Sequence, residues 1–365
     1  MRILVAPNAF KGSLSSVEAA RAMRRGILRA IPDASVDCLP IADGGDGTLV
    51  ALSEAMPGSE FVEITVRDPL LRPVQSGFLK MGRDIAVEMA RASGLAMLKP
   101  EELDVLRASS AGLGEILKAA ASYKPRRIYV GIGGSASVDC GAGMLEALGS
   151  PFCMEDGRAV HPGGGRLHRG VKIDLRRARE ALAGIELIAL CDVDNPLTGP
   201  LGAAAVFGPQ KGADPEAVQI LEENVKHAGL LLSRVTGQDV AAKPGSGAAG
   251  GCGAALMALG ARMQSGFSVV AEHTGLEERM NAADLVLTAE GRLDAQTMMG
   301  KAPGQVLGLA AKLNKPAAAF AGSVEAEGPY FSIVPGPMSL EEATMRAAEL
   351  LENAVMRFML FKGAV

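Results

Sequence analysis

Arg2-Ile3-Leu4-Val5-Ala6-Pro7, Asn8-Ala9-Phe10-Lys11-Gly12-Ser13, the segment Ser15 to Ile31, and Val36-Asp37-Cys38-Leu39 running into Asp43-Gly44-Gly45-Asp46-Gly47-Thr48 together decide the fold. The apolar run 2–7 is short and ends at a proline, which suits a first strand and not a secretory leader with a long apolar stretch and a cleavage site. Ser15 followed by Glu18 is a capping box, and Val17, Ala20, Met23, Ile27 and Ile31 then recur at helical spacing. A second strand over 36–39 feeds the Asp/Gly loop. Strand, helix and strand, with a loop at each strand's carboxyl end, is the building unit of an open parallel sheet.

Working outward, the alternation breaks between about 60 and 90, where FVEITV, VQSGFLKMG and IAVEMA read as strands joined by Pro and Gly turns. It resumes with a helix through Ile116 and Ala120, the strand Arg127 to Val130 and the Gly131 to Ser135 loop. From about 150 to 281 the pattern is mixed again, with a buried strand Leu187 to Leu190 and a helix around Ala217 to Val235. Asp284 to Thr288 and Ala317 to Ala321 are apolar strands, and Leu340 to Leu360 is a closing helix. The expected organisation is an α/β chain of two domains. An open parallel sheet domain comprises 1–60, 106–149 and 282–365, and a mixed α/β domain of 61–105 and 150–281 is inserted into it, with a cleft between the two.

A length of 365 residues supports two cores more readily than one. The apolar fraction of 48% is almost wholly aliphatic, with 4% aromatics and no Trp, so the core is one of thin helices and buried strands. A net charge of −4 gives no electrostatic footprint for nucleic acid or anionic lipid, and no stretch reaches the roughly 18 apolar residues of a membrane span. Cys38, Cys140, Cys153, Cys191 and Cys252 are odd in number and widely spaced, which points to reduced thiols in the cytoplasm. The four histidines have no metal-ligand spacing and read as structural or surface residues.

Ligands of open parallel sheets sit beyond the carboxyl ends of the strands. Lys11 and Ser13 lie in such a loop before a helix N-terminus, which favours a carboxylate or phosphate. Asp43 and Asp46 occupy a loop with three glycines and suit a metal on nucleotide phosphates or the hydroxyls of a substrate. Gly133, Gly134 and Ser135 can line up amides on a phosphate, although the stretch lacks both the P-loop ending and the GxGxxG spacing. Asp192 and Asp194 follow a buried strand, and either can orient or deprotonate an attacking hydroxyl, the other serving a metal. Lys211, between glycines, can neutralise a transferring phosphate. Glu290, Arg292, Asp294 and Lys301 close the set, with the planar fork of Arg292 matched to a substrate carboxylate.

In chain order NAFKGSLSS, PIADGGDGT, GIGGSASVDCGAG, CDVDNPLTGPLGAA, FGPQKGA, GSGAAGGCGAAL and TAEGRLDAQTMMGKAP resemble the bacterial glycerate kinase family of the type that forms 2-phosphoglycerate. The motifs run from residue 8 to about 303. The resemblance implies a flavodoxin-like domain with a second α/β domain inserted, ATP and Mg²⁺ as cofactors, and D-glycerate as acceptor. The chain departs from the family pattern at Asn8 (Asp expected), Asp46 (Glu), Val138 (Asn) and Ala289 (Gly). The expected roles are catalysis by Asp192, Asp194 and Lys11, and substrate binding by Ser13, Arg292, Asp294 and Lys301. Gly133, Gly134, Ser135 and Lys211 would bind nucleotide phosphates, and Asp43 and Glu290 a metal. A kinase for another hydroxy or sugar acid and a non-catalytic small-acid or nucleotide sensor are the competing readings. The oligomeric state is left open, a homodimer included.

Overall fold

β1 (Arg2–Val5) and β2 (Ser35–Cys38) form as the opening stretch requires, with a helix over Ser16–Ala30 between them. The Ser15 hydroxyl accepts from the Glu18 amide at 3.2 Å while the Glu18 carboxylate accepts from the Ser15 amide at 2.9 Å, so two helix-end donors are satisfied reciprocally. The computed structural model describes residues 1–293, 302–325 and 327–363. Two units are separable: Met1–Asp43 with Val50–Pro57 and Phe267–Val365, and Gly44–Leu49 with Gly58–Gly266.

The second unit opens with a meander, β3 (Glu60–Arg67), β4 (Pro73–Met81) and β5 (Asp84–Glu88), in which neighbours are antiparallel. The helix Ala111–Ala121 then crosses over to β6 (Arg127–Gly131), which pairs parallel with β5. A small ribbon of β7 (Phe152–Cys153) and β8 (Lys172–Ile173) precedes β9 (Glu186–Leu190) and β10 (Arg262–Gln264), both parallel additions. The six-stranded order is β10-β9-β6-β5-β4-β3. Asp214 caps the helix Pro215–Thr236 by accepting from the Ala217 amide, and that helix buries Leu221, Val225, Ala228 and Leu232.

This arrangement corrects the expected domain bounds. Segment 106–149 does not return to the first sheet, because β6 lies beside β5 in the second. Its strand–helix–strand unit with β5 is completed locally by a crossover, the shortest way to a parallel neighbour. Gly44–Leu49 also belongs to the second unit, and 267–281 to the first.

In the first unit the chain returns with β11 (Leu285–Leu293), β12 (Ala317–Val324) and β13 (Tyr330–Ser332). Every pairing is parallel. The order β13-β12-β11-β1-β2 reads, counted within the unit, as 2-1-3-4-5, the flavodoxin-like order. Both faces are covered. Ile3 and Val5 join Met23, Ile27, Leu351 and Val355 on one face, whereas Leu4 and Ala6 join Ile41, Leu276, Met280 and Val306 on the other. Burial on both sides explains the unbroken apolar run of β1, and each fully buried aliphatic contributes about 1.5–3 kcal/mol. The expected closing helix is two, Leu340–Met345 and Ala347–Gly363, with Arg346 at the break bonded to Glu342 and Glu349.

Candidate active site

In the second unit Glu88, Gly131, Leu190 and Gln264 are register partners in one row, and each is the last residue of its parallel strand. Everything that follows these residues in the chain leaves from one edge of the sheet. The loop Gly44–Leu49 lies across that edge. The Gly44 carbonyl accepts from the Gly133 amide at 3.1 Å, and a β-carbon on Gly44 would meet Leu190 at 2.9 Å. A β-carbon on Gly133 would stand 2.5 Å from the Gly45 Cα, so this crossing is closed to any other residue. At Gly134 a β-carbon would be 3.4 Å from the Asp46 carboxylate, which puts that acid beside the glycine turn.

Glu88, which the sequence reading passed over, holds this loop. Its carboxylate accepts from the Gly47 amide and the Leu49 amide, both at 3.0 Å, and the side chain is 2% exposed. Burial pushes its pKa up to about 7, against the two amide bonds that lower it; the Asp46 charge adds to the rise and Arg91 opposes it. The one signal in the sequence is an acid directly after the apolar stretch Ile85–Val87 of a parallel strand.

Gly133, Gly134 and Ser135 stand beyond β6 as expected. Lys211 does not stand in an exposed turn. Its Nζ donates to the Ser135 hydroxyl and the Ser137 carbonyl, both at 2.7 Å, inside the unit. Burial lowers the pKa of its ammonium to about 8, with Cys252 and Asp139 acting in the opposite sense. Asp139 accepts from the Ser110 amide and hydroxyl and from the Gly141 and Gly143 amides, which ties the helix after the glycine turn to its neighbour. Asp192 and Asp194 follow β9 at the same edge, the first half-buried and the second exposed. The Cys191 thiol between β9 and Asp192 donates to the Val193 carbonyl, and burial pushes its pKa up to about 11, so it stays protonated.

In the first unit the sheet order reverses between β1 and β11, the switch point at which such sheets bind ligands. The segment after β1 runs alongside β11: the Asn8 amide donates to the Ala289 carbonyl at 2.8 Å, and a β-carbon on Gly291 would lie 3.7 Å from the Lys11 backbone nitrogen. Lys11 is exposed there, Glu290 is buried in β11, and Asp43 follows β2. Two expected substrate ligands are engaged within the unit. The Ser13 hydroxyl donates to the Thr344 carbonyl at 2.9 Å, and Arg292 pairs with Glu325 at 2.8 Å. Asp294 and Lys301 lie outside the described residues.

The profile of the glycerate kinase family matches residues 3–361. The chain is 41% identical to a Bacillus subtilis glycerate kinase over 97% of its own length and 95% of that protein. It is also 41% identical to the Escherichia coli glycerate 2-kinase, over 89% of this chain and 86% of the relative. A crystal structure assigned to glycerate kinase 2 of Salmonella typhimurium LT2 covers 100% of this chain and 98% of that one, with a TM-score of 0.84 and 39% identity.

Proposed function

Because the chain belongs to the glycerate kinase family, we propose that it transfers the γ-phosphoryl group of ATP to the 2-hydroxyl of D-glycerate, releasing ADP and 2-phosphoglycerate. Phosphoryl transfer asks a protein mainly to position two reactants and to stabilise charge. The observation that carries the reading is the common carboxyl edge of β5, β6 and β9, where the glycine turn, Asp46 and Asp192 converge within one unit.

The Gly133–Ser135 turn is assigned to the nucleotide phosphates: the amides of Gly134 and Ser135 face them, while Gly133, whose amide is held by the Gly44 carbonyl, shapes the turn. Asp192, less exposed than Asp194, is assigned to the glycerate hydroxyl: it orients the oxygen and takes its proton as the phosphorus–oxygen bond forms. In the first unit Lys11 at the switch point is assigned to the glycerate carboxylate. Arg292 joins it by turning from the exposed Glu325, while Ser13 holds the loop through Thr344. Asp294 and Lys301 keep the substrate-binding roles that the family resemblance implies.

Mg²⁺ on a nucleotide takes one or two protein carboxylates and keeps its waters, and Asp43 and Glu290, hard oxygen donors in loop and strand of one unit, fit that demand. Among the described residues no three His, Cys, Asp or Glu side chains gather as a metal site. When bound, the ion would neutralise phosphate charge. We place the protein in the cytoplasm on its five unpaired cysteines; no described helix is long and apolar enough to cross a membrane.

The purified protein, incubated with D-glycerate, ATP and Mg²⁺ and followed by phosphorus NMR, is expected to accumulate 2-phosphoglycerate. Formation of 3-phosphoglycerate would overturn the choice of hydroxyl. ADP release with another hydroxy acid but not with glycerate would overturn the substrate.

A further inference from the structure

The glycine turn after β6 has a positive charge behind it. Lys211 is 3% exposed, and both of its hydrogen-bond partners, the Ser135 hydroxyl and the Ser137 carbonyl, are uncharged oxygens. The acid whose charge reaches it, Asp139, is already satisfied by Ser110, Gly141 and Gly143. The hydroxyl of Ser137, fully buried in the same place, has no hydrogen-bond partner among the described residues. An ammonium held in a core without a contacting carboxylate is costly, and an apolar residue of similar volume is often the more stable choice. Packing alone therefore does not account for a lysine here.

The outer side of the turn supplies the missing reason. Asp46 borders Gly134, so an anion on these amides meets a carboxylate and needs a compensating cation. Ser135 provides the link. Its oxygen accepts from Lys211, which leaves its own O–H free to donate outward, and a chain of hydrogen bonds ending in a cation is polarised along its length.

We propose that Lys211 is a positioning residue whose charge acts through the Ser135 hydroxyl on the phosphate groups of a nucleotide at the Gly133–Ser135 turn, giving the turn an anion preference without an exposed lysine. The inference rests on the assignment of that turn to nucleotide phosphates.

Calorimetric titration of ATP, ADP and adenosine into the whole protein and into Lys211→Met, Ser135→Ala and the double variant tests it. Lys211→Met is expected to weaken ATP and ADP roughly ten- to a hundredfold, the worth of a hydrogen bond to a charged group, and to leave adenosine unchanged. Ser135→Ala should lose less, and the double variant no more than Lys211→Met, because one relay is broken in each. Unchanged ATP affinity in Lys211→Met, or equal losses for ATP and adenosine, overturns the proposal. If Lys211→Met does not fold, unchanged ATP affinity in Ser135→Ala overturns it alone. Amide exchange of the wild-type protein separates the underlying reading: ATP should protect the amides of Gly134 and Ser135, whereas those of Gly133 and Ala136 are already bonded to Gly44 and Ser93. Protection together with intact ATP affinity in Lys211→Met sinks only the lysine's role, whereas no protection sinks both.

Discussion

Glu88 receives the amide of Leu49 at 3.0 Å from a position where the carboxylate is almost wholly removed from water. Its pKa stands at about 7 when folded, against 4.5 ordinarily. Between those values the folded state binds more protons than the unfolded one, so this group's contribution to stability is fully present below pH 4.5 and is lost as pH rises through 7. The Glu88→Gln variant removes that slope, which is on the order of a few kcal/mol. Urea midpoints of both proteins at pH 5 and pH 8 are the measurement; the wild-type protein should lose more between them, and parallel slopes would contradict the assignment.

Lys211 titrates in the other direction. Its ammonium loses its proton near pH 8, facing Asp139 and the Cys252 thiol, while the amine of an unfolded chain holds its proton to about 10.5. The unfolded state binds more protons in that interval, so stability gains with pH while the charge behind the glycine turn disappears. ATP affinity in the wild-type protein should fall above about pH 8, with the limb displaced upward by bound phosphate, and Lys211→Met should lack the limb. Titrations between pH 7 and 9.5 decide it.

Asp192→Asn keeps the size of the side chain and removes its capacity to take a proton. A positioned base is worth roughly 10²–10⁴-fold, so kcat should fall by at least about a hundredfold with the KM for ATP within a factor of a few. Full turnover in this variant would exclude Asp192 and leave Asp194 to be tested in its place.

Gly26 on the first helix lies against the C-terminal helix so closely that a β-carbon would come within 2.3 Å of the Glu352 carbonyl oxygen. Backbone cannot yield as a side chain does, and Arg25 and Arg29 hold Glu352 from the same helix. Gly26→Ala should cost about 1–3 kcal/mol or more, despite alanine's better helix propensity. A denaturation midpoint equal to that of the wild type would show that the helices slide apart freely.

Local chemistry was legible where it is local. The capping box of Ser15 and Glu18 and the strand before Pro7 depend on neighbours within four residues, and each formed as read. Arg127 to Val130 misled because an apolar strand running into a glycine loop suits either sheet; which sheet it joins is settled by β5, some forty residues away. Glu88 left no clear trace, since its burial depends on the loop 44–49 arriving from elsewhere in the chain. Lys211 was read as a phosphate-neutralising lysine between glycines, and its burial behind the turn, on the Ser135 and Ser137 oxygens, left no trace in the local sequence. The flavodoxin-like order itself entered through the family motifs, periodicity being blind to it.

The insertion has a consequence for how the chain is made. Arg2 bonds Asp284 across 282 residues, so β1 gains its central partner only when most of the polypeptide has left the ribosome. At synthesis rates of about 5–20 residues per second that interval is roughly 14–56 s. Until then β1 and β2 form an incomplete ribbon whose open edge at β1 is mostly apolar. The nascent protein therefore spends most of its synthesis with β1 lacking one neighbour, and the inserted sheet, completed by β10 at Gln264, is finished only shortly before β11 arrives at Leu285.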